Sequence, residues 1–409
     1  MKIKLTLSTR VPLYGATALL VHCASAQTWQ TVDDFQYLAQ TNGQGSQANA
    51  LTVDPFGNVF VAGCGRDANG VAHALIRKSS DAGGTWALVD DFSTAPGSAF
   101  YGGGSGYLSG GGIDSDSAGV IYAAGRYSTG NGYTWFAAQG SSAGTSWNNV
   151  DTAGPVTMAV DVAADSAGNA FVVGRTNGVA NGPWLVRKGA NGGTSWATAD
   201  LPFPADNGSH ATAVFCHPTR GVFVTGGHYV GSTFAWTTRR SLDGGFTWTT
   251  VDSSVPGVGF GIGADAVGNI YVVGNSQASN PSHWLTRKSS DGGNSWTTVD
   301  DYYLCVTVTN SIKPLRTSTT CHSAAATGFA ADANGNLFVC GYLDAGSPST
   351  WIVRENPGGN TSWRTVDTFQ YAERASAAYR IAADTAGNVY VAGTGIDANG
   401  VGHWIVRRN

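Results

Sequence analysis

Asp54-Pro-Phe-Gly-Asn-Val-Phe-Val-Ala-Gly63 decides the fold, because its pattern returns six more times: Asp116 to Gly125, Asp165 to Gly174, His217 to Gly226, Asp265 to Gly274, Asp332 to Gly341 and Asp384 to Gly393. The Asp-x-x-Gly-Asn segment is turn chemistry, with glycine available for positive φ and Asp or Asn bonding the local backbone. The alternating Val-Phe-Val or Val-Tyr-Val that follows is a strand. Each copy is followed by a second phrase, clearest from Trp284-Leu-Thr-Arg-Lys288 across a turn to Trp296-Thr-Thr-Val-Asp300. Its closing Trp, with an Asp four residues later, occurs seven times, from Trp29/Asp33 to Trp363/Asp367. The earlier Trp occurs six times, with Ala74 in the remaining copy, so that the two positions account for all 13 tryptophans.

Four strands in a unit of about 50 residues, repeated with one core pattern, predict an all-β chain: a seven-bladed β-propeller with four strands per blade. A long β-solenoid would share the periodicity, but the two ends of the sequence argue for a ring. The last unit supplies three strands, ending at Ile405-Val-Arg-Arg-Asn409, and lacks its closing Trp strand; Gln27-Thr-Trp-Gln-Thr-Val-Asp33 is that strand. The ring is thus expected to close by the N-terminal strand completing the last blade, which leaves no open sheet edge.

Residues 1–26 read as an export signal, with Lys2, Lys4 and Arg10 before an apolar run and Ala24-Ser25-Ala26 as the cleavage site, placing the cut between Ala26 and Gln27. Residues 27–409 are then a single propeller, secreted or periplasmic, and expected to be a monomer. Without the signal, 20 basic side chains face 27 acidic ones, net −7. That balance argues against nucleic acid or anionic lipid, and no other apolar run is long enough to span a bilayer. Five cysteines remain; Cys305 and Cys321 share one long loop and are a possible disulfide pair, the alternative being that all five are free thiols. No Cys/His spacing resembles a zinc site, and no metal or cofactor is expected.

The turn Ser79-Ser-Asp81-Ala-Gly83-Gly-Thr85-Trp86 is repeated as Ser241, Asp243, Gly245, Thr247, Trp248 and as Ser289, Asp291, Gly293, Ser295, Trp296. It resembles the Asp box, or BNR repeat, of sialidases and related propellers. The resemblance implies a structural brace on the face opposite the active site, so these aspartates are not catalytic candidates. The repeated Arg77, Arg187, Arg239, Arg287, Arg354 and Arg407 are likewise expected to pair with carboxylates of neighbouring blades.

Function is expected on the opposite face, where connections vary in length, from the brief Asp151 to Pro155 to the long Ser93 to Gly111 and Tyr302 to Ser323. Ligand-binding candidates there are Arg126, Arg175, Asp161, Arg374, Arg380, Tyr101 and Tyr303, since aromatic and cationic groups together suit sugars or peptide segments. The sialidases that this chain resembles use an arginine triad, a Tyr/Glu pair and an Asp, and no Phe-Arg-Ile-Pro motif occurs here. Glu373, with Tyr379 and Arg380, is the catalytic candidate. The sequence therefore favours a secreted, non-catalytic binding propeller for a glycan or an extracellular protein, with a sialidase-like or other glycoside hydrolase as the alternative.

Overall fold

The computed structural model describes residues 28–38, 45–93, 99–101, 112–128, 132–142, 144–154, 157–176, 182–190, 192–203, 208–309, 317–344, 348–360 and 362–409. The export signal and its cleavage site lie outside these residues, as do Tyr107 and Arg316; of Tyr101 only the backbone is described.

The described chain is nearly all strand, with two short 3-10 turns at Pro357–Gly359 and Tyr371–Glu373. The basic unit is four strands in sequential antiparallel order, as in Gln47–Val53, Val59–Arg66, Ala72–Ser79 and Ala87–Phe92, or Met158–Ala164, Ala170–Arg175, Trp184–Ala190 and Ser195–Asp200. The strands form six hydrogen-bonded sheets. One has seven strands, because Thr249–Ala264 pairs with Thr233–Ser241 through its first half and with Ile270–Ser276 through its second. Another joins the two ends of the sequence: Gln30–Phe35 lies against Gly402–Arg408, with Gln30 opposite Arg408 and Phe35 opposite Trp404.

The repeated residues explain the geometry. Asp54 Oδ1 accepts the N–H groups of Phe56 and Asn58 and so closes the first turn, in which Gly57 adopts φ +82°. His217 does the same with Nδ1, accepting from the N–H groups of Thr219 and Arg220, so a histidine substitutes for the turn aspartate. The earlier Trp is buried in each of the six units that carry it, and in five of them it fills the space left by the next unit's strand glycine. A Cβ on Gly341 or Gly393 would come within 2.6 Å of Trp284 or Trp351. Units are also stapled by ion pairs, each arginine reaching back to the preceding unit's closing aspartate: Arg77 to Asp33, Arg187 to Asp151, Arg239 to Asp200, Arg287 to Asp252, Arg354 to Asp300 and Arg407 to Asp367, at 2.6–2.8 Å. The second unit carries Ala138 at this position.

Two connections differ from a plain loop. The inner strand of the second unit is split: Ala99–Tyr101 and Ile113–Ser115 both pair with Ile121–Ser128. Between Tyr302 and Ser323, where a long loop is expected, the chain folds as a two-stranded ribbon, Leu304–Thr309 against Thr317–His322, cross-linked by Cys305–Cys321. The β-branched alternation of Val306-Thr-Val-Thr309 and Thr317-Ser-Thr-Thr320 accounts for it. Cys64, Cys216 and Cys340 are free thiols.

Candidate functional site

The three Ser-x-Asp turns consume their own carboxylates. Ser79 Oγ donates to Asp81 Oδ1 and accepts the Gly83 N–H, while Asp81 accepts both the N–H and the hydroxyl of Thr85, all at 2.8 Å. Those Thr85 bonds hold the Asp81 carboxyl down at about 2. Asp243 and Asp291 are lowered in the same way by Thr247 and Ser295. The following tryptophans tie down the backbone, Trp248 Nε1 donating to Gly245 O, Trp296 Nε1 to Gly293 O and Trp86 Nε1 to Val32 O. A carboxylate saturated by turn donors is a poor proton donor or nucleophile. This face is scaffold.

The inner strands surround a central cavity of about 300 Å³, lined by seven strand segments that bring Asp114, Asp161, Cys216 and Arg380 together. Its polar groups are engaged in joining neighbouring strands. Asp114 accepts the Ala164 N–H and the Thr52 hydroxyl; Asp161 accepts the Val214 N–H. Arg380 donates to Thr327 O and lies 3.9 Å from Asp161. Thr327 in turn donates to Ala378 O, and Thr212 to Gly259 O. Burial pushes the Asp114 carboxyl up to about 6 and raises Asp161 as well. Asp161 and Arg380, expected as ligand groups, therefore sit within a belt of contacts between inner strands.

The opposite face collects a different set. Gly125 and Gly174 end the tight part of the second strand in adjacent units, and the next residues are Arg126 and Arg175, both buried to 6% exposure. The Arg126 guanidinium lies 4.8 Å from the Tyr133 ring centre, and Arg175 donates to the Met158 sulfur at 3.2 Å. Desolvation lowers the pKa of both, and the Arg175 charge lowers Arg126 further. Burial, followed by the Arg175 charge, pushes His210 down to about 4, so this ring is neutral at pH 7. Phe234 stacks on His210 at 5.4 Å, and Tyr229, half exposed, meets Phe234 edge-on at 4.8 Å. The hairpin Gly221–Val230 and Thr233–Ser241 carries these two rings beyond the body of its sheet. A strip thus runs from two desolvated cations, through a neutral imidazole, to an exposed aromatic ledge.

The remaining candidates are dispersed. Tyr303 stacks on His283, whose Nδ1 donates to Asp301. Related clusters join Tyr37, His73 and Asp91, and Tyr371, His403 and Asp34, with the hydroxyls of Tyr37 and Tyr371 donating to the aspartates at 2.6 and 2.8 Å. Glu373 and Arg374 are exposed at the Tyr371–Glu373 turn, Tyr379 is buried, and Arg380 lines the cavity. The expected Glu373, Tyr379 and Arg380 group is therefore divided between surface, core and cavity. Tyr101 contributes its backbone opposite Gly125, beside Arg126. Sequence reading missed His210 and Phe234; the one available signal was Tyr-Val-Gly-Ser-Thr-Phe, a tight hairpin with an aromatic on each side of its turn.

No family model and no curated protein matches the sequence. Solved structures do. YCF48 bound to D1 peptide shares 12% identity, with 93% of this chain and 96% of that one covered, at a TM-score of 0.51. The Hadza microbial sialidase Hz136 shares 10% identity over 92% and 68% of the two chains, at 0.51. A polysaccharide lyase, the PL25 ulvan lyase bound to -[GlcA(1-4)Rha3S]-, shares 12% over 91% and 95%, at 0.52. At these identities the likeness is one of fold, and it shows a sialidase-like β-propeller.

Proposed function

We propose that this chain is an exported, non-catalytic binding protein. It is a seven-bladed propeller, with the ring closed by Gln30–Phe35, Asp-box turns on one face, and an acidic glycan or extracellular protein segment held on the other. The observation that carries this reading is the strip from Arg126 and Arg175 through His210 to Phe234 and Tyr229. Desolvated guanidiniums gain most from an anionic group presented in two-pronged fashion, and an aromatic ledge beside them supports the apolar face of a sugar ring or a side chain. Propellers of this fold hold both ligand classes, since YCF48 is bound to a peptide and the ulvan lyase to a glucuronate-containing saccharide. Glycoside hydrolysis would require two carboxyl groups flanking one bond. Glu373 is on an exposed turn, and the buried aspartates brace turns, staple units or bond neighbouring strands.

The test incubates the protein with a polyuronate, a sialylated glycoprotein and a neutral glucan, following retained protein and released sugar together. Salt-sensitive retention on an acidic polymer, lost in Arg126→Ala and Arg175→Ala without sugar release, is the expected result. Release that disappears in Glu373→Ala would establish the hydrolase reading instead. Absence of retention on all three would remove the glycan and leave the protein segment.

A further inference from the structure

The ribbon between Tyr302 and Ser323 stands outside the repeat and belongs to none of the contacts described above. Its inner strand belongs to Thr317–Ala331, a 15-residue strand whose second half lies in the sheet and whose first half, among the described residues, pairs only with Leu304–Thr309. Leu304–Thr309 is the terminal strand of that sheet, and residues 304–307 are exposed.

The disulfide fixes which backbone groups this edge presents. Cys305 and Cys321 are directly opposite, with Cα atoms 4.0 Å apart. So close a spacing identifies the pair of an antiparallel ladder that exchanges no hydrogen bonds. Thr307 opposite Thr319 and Thr309 opposite Thr317 share that phase, while Leu304, Val306 and Val308 bond inward. The N–H and C=O groups of Cys305, Thr307 and Thr309 therefore point away from the ribbon, toward its open edge.

We infer that two copies of this chain pair edge to edge through Leu304–Thr309, antiparallel about a two-fold axis at Thr307. In that register Thr307 meets Thr307 of the other copy and Cys305 meets Thr309 of the other copy, so the outward groups match one to one and form about six hydrogen bonds. The symmetry of the outward set about Thr307 makes the edge complementary to itself. Charge favours the same occupant. The closing strands of the repeat carry carboxylates along their length, such as Asp33 and Asp34, Asp90 and Asp91, or Asp300 and Asp301, and such charges guard sheet edges against pairing. Tyr303-Leu-Cys-Val-Thr-Val-Thr309 carries none. Two acidic molecules can thus approach along this edge without setting like charges against each other. An edge of six residues buries less than the roughly 1,200 Å² of a stable interface, so the pair is weak and concentration-dependent.

Sedimentation equilibrium of the intact chain, from micromolar to near-millimolar concentration, tests the proposal. The weight-average mass is expected to rise toward twice that of one chain. Thr307→Pro removes the central outward donor while leaving the ribbon's own ladder whole, because that N–H bonds nothing within the ribbon. Val306→Lys sets two like charges across the proposed pair and leaves the backbone unchanged. Either variant, with its strand signal by circular dichroism intact, is expected to stay at the mass of one chain. A wild-type chain that remains monomeric throughout, or a folded Val306→Lys variant that associates as the wild type does, would overturn it.

Discussion

Arginine plays two parts in this molecule. In the staples between units, each guanidinium faces an aspartate in a two-pronged contact; Arg287, for example, donates Nε and Nη2 to the two carboxylate oxygens of Asp252. On the opposite face, Arg126 and Arg175 are as deeply buried, and their contacts include a tyrosine ring and a methionine sulfur. The staples recur with the repeat, and the other two occupy a position that elsewhere holds Cys64, Gly227, Asn275, Tyr342 or Thr394. Repetition marks the arginines that staple the units together, and Arg126 and Arg175 stand outside it.

The largest effect should come from breaking a staple. Arg287→Ala leaves Asp252 buried without its counter-charge and should cost about 3–5 kcal/mol in urea unfolding. Arg175→Ala takes the counter-charge from none of the stapling aspartates, so it should cost less stability than Arg287→Ala while abolishing retention on an acidic polymer. If the two variants lose stability alike, the distinction between the two kinds of arginine fails. Burial already raises Asp33, Asp200 and Asp300 despite their arginines, the direction expected of carboxylates that lean on their counter-charge.

A second contrast is between His210, beside Arg175, and Asp114 in the cavity, and it appears in the pH dependence. The folded chain protonates His210 only near pH 4, against 6.5 when unfolded, so unfolding takes up a proton in this window. This group should lower stability by about 3 kcal/mol as pH falls from 6.5 to 4. Asp114 has the opposite sign: it is protonated near pH 6 when folded and near 3.8 when unfolded. Its contribution should fall by about 3 kcal/mol as pH rises from 3.8 to 6. The two nearly cancel in the wild type. Relative to it, Asp114→Asn should steepen the loss of stability on acidification, and His210→Asn should diminish that loss. Parallel profiles for the three proteins would show that neither group is held as described.

Smaller effects sharpen the scaffold side. Ser289→Ala deletes the hydroxyl that accepts the Gly293 N–H at 2.7 Å and donates to Asp291, and should cost about 1 kcal/mol in thermal unfolding. Glu373→Gln, on an exposed turn, should change stability by less than about 0.5 kcal/mol and leave retention unaltered.

The repeat made most of the architecture legible. The Trp and Gly positions announce interlocking sheets because one side chain must fill what the other leaves open, and a rule imposed in every unit is visible in a single sequence. The staples were legible for the same reason. The ribbon was not, because nothing elsewhere in the chain repeats it and its threonines read equally well as loop. The candidate site was legible only in part. Arg126 and Arg175 were legible as cations among loop aromatics, but His210 and Phe234 meet across strands of one unit, which no repeated spacing encodes. Asp161 and Arg380 are isolated charges of the innermost strands, where they line the cavity and bond neighbouring strands. A charge within a strand signals a special environment without saying which kind.

The pairing of Gln30–Phe35 with Gly402–Arg408 also governs time. The residues of that strand leave the ribosome some 370 residues before their hydrogen-bonding partners are made. Until then the Trp29 strand has no sheet to join, so completing this sheet is a late event of high contact order, whichever internal units form before it. Joining residue 409 to residue 28 by a short linker, and opening the chain between two other units, would turn this last step into a local one.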